Sequence, residues 1–157
     1  MTPKHKYGGI LIAEADKEKG EKFDIIAAVT ENGKCPFWDE FFLDLNQRYN
    51  SAKRKNIFLN KKDDINYKKL DYLFDKFSKT GPWSNEKQIR KIENGFFEFK
   101  CIETSLRVIF YYDKHYRNVI VLTHYFDKGG NDKTPPKEKE KMHRIKDSFE
   151  IYRRKGG

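Results

Sequence analysis

A chain of 157 residues with 15% aromatic and 36% charged side chains suits one domain with a single core. Its charge of +9 favours a polyanionic partner, most often nucleic acid, although a soluble lysine-rich surface has the same balance. The two cysteines, Cys35 and Cys101, lack the Cys-x-x-Cys spacing or Cys/His cluster of a zinc site. Nothing resembles a signal peptide or membrane span, so a reduced, cytoplasmic protein without metal or cofactor is expected.

Met1–Glu21 holds one short apolar patch, Ile10–Ala13, and reads either as an N-terminal arm or as an extra edge strand. Residues 22–157 read as the domain proper. Phe23–Val29 is an uninterrupted apolar run that fits a buried strand. Glu31-Asn32-Gly33 marks a turn, and Pro36 stands where a first helical residue tolerates proline. Trp38, Phe42, Leu45 and Tyr49 then recur at helical spacing, and Phe37 and Phe41 widen the stripe. Asn50–Asp64, rich in lysine and asparagine around Ile57-Phe58-Leu59, reads as an irregular connection. Leu70, Leu73, Phe74 and Phe77 mark a second helix that ends near Gly81-Pro82. The two helices predict a hairpin packed on a sheet. Trp83–Asn94 reads as a lead-in segment, and Gly95 takes a turn position.

Three apolar runs follow: Phe96–Ile102, Leu106–Tyr112 and Val119–Phe126. Rich in Phe, Tyr, Val and Ile, with short polar breaks, they predict consecutive antiparallel strands. Side chains alternate along a strand. Glu98 and Lys100 therefore share one face of the first strand, and Arg107, Ile109 and Tyr111 one face of the second. Leu122, His124 and Phe126 share a face of the third. A hairpin turning on Thr104-Ser105 puts Lys100 opposite Ile109 and Ile102 opposite Arg107, with Lys100 and Arg107 as diagonal neighbours. A face holding Glu98, Lys100, Arg107 and His124 is costly to bury and reads as a polar site on a rigid platform. After the Asp127–Asp132 loop, Thr134 is expected to cap a final helix with Pro135 at its first position. Met142, Ile145, Phe149 and Tyr152 form its stripe, over about residues 136–153. The expected fold class is α+β, β-α-α-β-β-β-α, a small and mostly antiparallel sheet with a helical hairpin on one side and a C-terminal helix.

Three stretches resemble the RelE/ParE toxin superfamily, and within it the HigB-like, phage-derived branch. They are TENGKCPFWDEFFLDL (30–45), KIENGFFEFKCIETSLRVIFYY (91–112) and LTHYFDKGGNDKTPPKE (122–138). The likeness spans roughly Phe23–Phe149. It departs at Met1–Glu21, at the long Asn50–Asp64 connection and at extra residues in Gly129–Lys133. The resemblance implies a RelE-like fold and the toxin of a type II toxin-antitoxin system, an endoribonuclease that cuts messenger RNA on the ribosome. It also implies a cognate antitoxin, with a helix-turn-helix DNA-binding domain, as partner. Lys100 and Arg107 match basic strand positions used in cleavage, Glu98 a position where this branch often has Glu, and His124 and Lys128 its His-Gly-Phe-x-Lys pattern. The C-terminal tyrosine of the RelE pattern has no match here.

Cutting RNA without metal needs a base for the 2′-hydroxyl proton, a cation near the phosphorane oxygens and an acid for the leaving 5′-oxygen. Among the catalytic candidates, His124 suits proton transfer near neutral pH. Arg107 is a planar cation suited to phosphate. Lys100 supplies charge or a proton, and Glu98 orients Lys100 or acts as base. Lys128, Lys133 and Tyr111 are the candidate RNA contacts. Each has a plainer reading: a hydrogen-bonded core histidine, a solvated Glu98–Lys100 face, a core or rim tyrosine, solvated loop lysines. Two other functions stay open, a non-catalytic toxin of the same fold that binds a protein such as gyrase, and a basic RNA-binding module.

Overall fold

The computed structural model describes residues 3–129 and 133–156. Its architecture is α+β, with a seven-stranded, mostly antiparallel sheet and three α-helices. Near the N-terminus β1 (His5–Lys6) and β2 (Gly9–Ala13) form a hairpin. Tyr7 and Gly8 have φ of 57° and 85°, the left-handed pair that a two-residue loop between twisted strands demands. A Cβ on Gly9 would lie 2.7 Å from the Ala27 carbonyl oxygen, so only glycine lets β2 approach its neighbour there.

That neighbour is β3 (Asp24–Ala27), an all-buried strand as its apolar run predicts. It pairs antiparallel with β2 on one side and parallel with β7 (Val119–Asp127) on the other, with Asp24 opposite Val119. Asp24 anchors the N-terminal segment by accepting bonds from Tyr7 Oη (2.6 Å), Ala15 N (2.8 Å) and Lys6 Nζ (3.0 Å). Burial alone would raise the Asp24 pKa. The bonds from Tyr7, Ala15 and Lys6 outweigh that and hold it below its ordinary value.

A π-helical turn at Trp38–Phe42 leads into α1 (Leu43–Arg54), and α2 spans Lys61–Thr80. The Asn60 side chain caps α2, accepting from Asp63 N at 2.9 Å. The irregular connection is therefore only residues 55–60, shorter than the expected Asn50–Asp64, because a cap at Asn60 starts the helix inside the lysine-rich stretch. Phe74 and Phe77 of α2 meet Phe99 at 5.5 and 5.7 Å between ring centroids, which fixes one face of the sheet as core.

The segment expected as a lead-in contains a strand, β4 (Ile89–Glu93), joined through the Asn94-Gly95 turn to β5 (Phe96–Cys101). Gly95 has φ of 87°. The hairpin β5–β6 (Leu106–Tyr112) turns through a 3₁₀ segment, Ile102–Thr104, so Ile102 leaves the ladder. This sets the register two residues away from the expected one, which keeps the faces but changes the partners: Lys100 faces Arg107 directly, and Glu98 faces Ile109. In β7 a bulge sets two residues, Thr123 and His124, against Ile109, with Val108 opposite Tyr125 and Phe110 opposite Leu122. Leu122 therefore lies on the Phe110 face, toward α2, and only His124 and Phe126 share the Arg107 face. The whole order is β1-β2-β3-β7-β6-β5-β4.

The last helix, α3 (Pro136–Arg154), packs Met142, Ile145 and Phe149 on the face opposite α2, all nearly inaccessible. Pro135 is the cap and Pro136 the first helical residue. The Thr134 hydroxyl, expected to cap, is buried without a hydrogen-bond partner among the described residues. Pro136 has no N–H to offer at that end. The helix is tied at its far end by Arg153, whose Nη2 lies 2.6 Å from buried Asp113.

Candidate functional site

On the α3 side of the sheet, polar residues of four consecutive strands fall into two groups. One group gathers where β4, β5, β6 and the end of β7 come together. Arg90 stands opposite Glu98 across β4–β5, and Lys100 opposite Arg107 across β5–β6. Lys128, just past β7, is held by a bond from its backbone N to Ser105 O at 2.9 Å. Four cations thus surround one carboxylate.

Burial makes this arrangement costly. Glu98 is inaccessible, and Arg107 and Lys128 are each 7% exposed. Arg90 Nη2 lies 2.7 Å from Glu98 Oε2, an ion-pair distance without hydrogen-bond alignment. Both Glu98 oxygens, Arg107 Nε and Arg90 Nε therefore have no hydrogen-bond partner among the described residues. Arg107 spends Nη1 on the Leu106 carbonyl at 2.9 Å, with a longer 3.5 Å approach to that of Cys101. Lys100 Nζ donates to Glu86 O at 3.1 Å. Buried polar groups are nearly always hydrogen-bonded, so a cluster of buried charges with several unbonded atoms makes this place a candidate site.

The electrostatics agree. Burial lowers the Arg107 pKa, with Glu98 opposing and Arg90 adding to the fall. The guanidinium still keeps its charge. Burial also lowers Lys128, Glu98 opposes, and Arg90, Arg107 and Lys100 push it further down. Such a lysine gives up its proton more readily than one in water.

The second group lies under α3. His124 is 1% exposed, its Nδ1 3.0 Å from Thr123 Oγ1 and its Nε2 3.1 Å from Glu138 Oε1. Burial, reinforced by Lys141 and Arg144, pushes its pKa down to about 3. Tyr111 is 2% exposed, with Phe96 edge-on at 5.7 Å and the Lys146 ammonium 4.9 Å from its ring centroid. Both side chains occupy the packed α3 interface. Lys133 is exposed and follows residues 130–132, which lie outside those described.

The structure therefore brings Glu98, Lys100, Arg107 and Lys128 together and sets His124 and Tyr111 beneath a helix. It adds Arg90, which sequence reasoning missed. The signal was present: Ile89-Arg90-Lys91-Ile92 before Asn94-Gly95 is a short strand followed by a strong hairpin turn. Among the described residues no group of three His, Cys, Asp or Glu side chains is placed to hold a metal ion. Among the described residues no helix is long and apolar enough to cross a membrane.

Fold and site together define a small α+β protein that concentrates cations on one part of a sheet face. The family described as Phage derived protein Gp49-like (DUF891) matches residues 57–147, and the chain belongs to it; the family is associated with toxin-antitoxin systems. The matched span runs from the turn before α2 through β7 into α3, so it contains every residue of the cationic cluster. No curated protein matches the chain.

Proposed function

We propose that this protein is the toxin of a toxin-antitoxin pair, of the RelE type and its HigB-like branch, and that it acts as an endoribonuclease on messenger RNA. The observation that carries the reading is the half-satisfied cluster of Arg90, Glu98, Lys100, Arg107 and Lys128. A phosphodiester brings the acceptor oxygens that Arg90 Nε and Arg107 Nε lack.

In this reading Arg107 and Lys100 hold the scissile phosphate and stabilise charge on its equatorial oxygens. Glu98 keeps the cations from repelling one another and so positions them. Lys128, with its depressed pKa, gives a proton to the leaving 5′-oxygen, and solvent water takes the proton of the 2′-hydroxyl. The attacking nucleophile is the ribose 2′-oxygen. It forms a new P–O bond as the P–O5′ bond breaks, leaving a 2′,3′-cyclic phosphate and a 5′-hydroxyl. His124, neutral and bonded to Glu138, positions the β7 end rather than touching substrate. The antitoxin is an acidic partner that covers or distorts the cationic face.

Pulsed expression in a bacterial host, with mapping of RNA 5′ ends, tests the proposal. Growth should stop, and transcripts should gain 5′-hydroxyl ends, mostly inside translated regions. Growth arrest with intact messenger RNA and altered DNA supercoiling would select the gyrase-binding alternative instead.

A further inference from the structure

The turn between α1 and α2 has a composition found nowhere else in the chain. Residues 53–62 hold five basic side chains and no acidic one. Lys53, Arg54, Lys55 and Lys61 are exposed and form no ion pair among the described residues. The carboxylates that follow are already engaged, Asp63 by Arg48 and Asp64 by Lys68 at 3.1 Å. At the centre of this turn Phe58 is fully exposed (103%) and Ile57 is 60% exposed. A depression of about 380 Å³ beside them has Tyr49, Ile57, Phe58, Lys53 and Lys61 in its lining, together with the Asp64–Lys68 pair.

Adjacent exposed Ile57 and Phe58 form an apolar patch rimmed by polar residues, the kind of surface that marks an interaction site. The surrounding charge selects the partner. An aromatic face ringed by unpaired cations matches a single-stranded nucleic acid, whose bases stack while its phosphates meet the lysines. The start of α2 is tied to the end of β7. Lys62, in the first turn of α2, pairs with Asp127 at 3.3 Å, and Asp127 directly precedes Lys128.

We infer that the α1–α2 turn is a second RNA-binding site, in which Phe58 stacks on an unpaired base and Lys53, Arg54, Lys55 and Lys61 contact the flanking phosphates. The inference rests on RNA being the ligand of the main site, and it assigns that ligand a second point of attachment.

The test measures binding of a fluorescent single-stranded RNA of about twelve nucleotides, a length within the usual range for such sites. Its riboses are 2′-O-methylated, which blocks attack by the 2′-oxygen. Phe58→Ala should weaken binding by roughly 5- to 100-fold, the range for loss of one stacked base, and Phe58→Trp should restore it. Lys53→Gln, Arg54→Gln and Lys55→Gln combined should flatten the salt dependence of log K by about two, at about 0.7 per lost phosphate contact. Because these side chains are exposed, folding should be unchanged, as circular dichroism will check. Wild-type affinity and salt slope in both variants would overturn the second site, whether or not cleavage occurs. So would weaker binding of a poly-glutamate peptide with RNA binding unaltered, which would make the turn a protein-docking surface. Lost RNA binding in the turn variants, together with absence of new 5′-hydroxyl ends from the wild type, would uphold the turn and remove the nuclease assignment alone.

Discussion

Beneath α3, His124 has both ring nitrogens engaged and no charge. On the same face of the same sheet, Arg107 keeps its charge and leaves Nε without a partner. The two side chains stand on neighbouring strands, and each is almost wholly buried. What separates them is the element above. The helix supplies Glu138 to His124. No α3 side chain pairs with Glu98, Arg107 or Lys128 among the described residues. The helix does not satisfy everything beneath it, since the buried Tyr111 hydroxyl has no hydrogen-bond partner among the described residues, but it leaves no charged group of His124's surroundings as crowded as Arg90, Glu98 and Arg107.

The strongest way to break this contrast is to remove the single countercharge. Glu98→Gln leaves Arg90, Arg107 and Lys128 crowded without an anion. It should cost about 3 kcal/mol or more of stability, as expected when one partner of a buried pair is removed. Chemical denaturation would show this as a lower midpoint, and a midpoint equal to wild type would mean that the cations do not depend on Glu98. Next in size is Arg107→Lys, which keeps charge but loses the planar fork. Cleavage should fall by about 10²–10³-fold, the loss for a transition-state donor, while the melting temperature moves little. Full cleavage in a folded variant would shift the phosphate site elsewhere.

The smallest effect lies on the covered side. His124 is held near pKa 3 when folded but titrates near 6.5 when unfolded. As pH falls below 6.5 the unfolded chain takes up a proton that the native state refuses, so stability drops. At about pH 5 that loss amounts to roughly 2 kcal/mol. His124→Gln should remove this part of the acid slope and leave the pH profile of cleavage near neutrality unchanged. A flattened cleavage profile with an unchanged stability slope would reverse the roles of the two regions.

Much of the fold was legible because it rests on long periodic runs. The strands around Phe99, Val108 and Val121, the buried run at Phe23–Val29 and the α2 stripe were all legible as elements, and the first two strands and the helix also in their faces. The polar cluster followed from alternation alone, since Glu98, Lys100 and Arg107 interrupt otherwise apolar strands. Three things were hidden. The bulge at Thr123-His124 has no residue-type marker, and it moves Leu122 to the other face. β4 is short, polar and at an edge, so Ile89 and Ile92 gave little apolar signal. The shielding of His124 depends on Glu138 reaching it from a separate helix, a tertiary fact that no local pattern carries.

Asp24 and Val119, partners in the parallel pair, are separated by ninety-five positions along the chain. During synthesis the Asp24–Ala27 strand leaves the ribosome long before its partner does. Until Val119–Asp127 emerges, one edge of a wholly apolar-flanked strand has nothing to pair with. Closing so long a loop favours slow, late assembly. The pairing that completes the sheet also places Lys128, so the cationic cluster is finished only when almost the entire chain has been made. A truncated translation product would carry Arg90, Glu98 and Arg107 without the strand that orders them, and would be both aggregation-prone and inert.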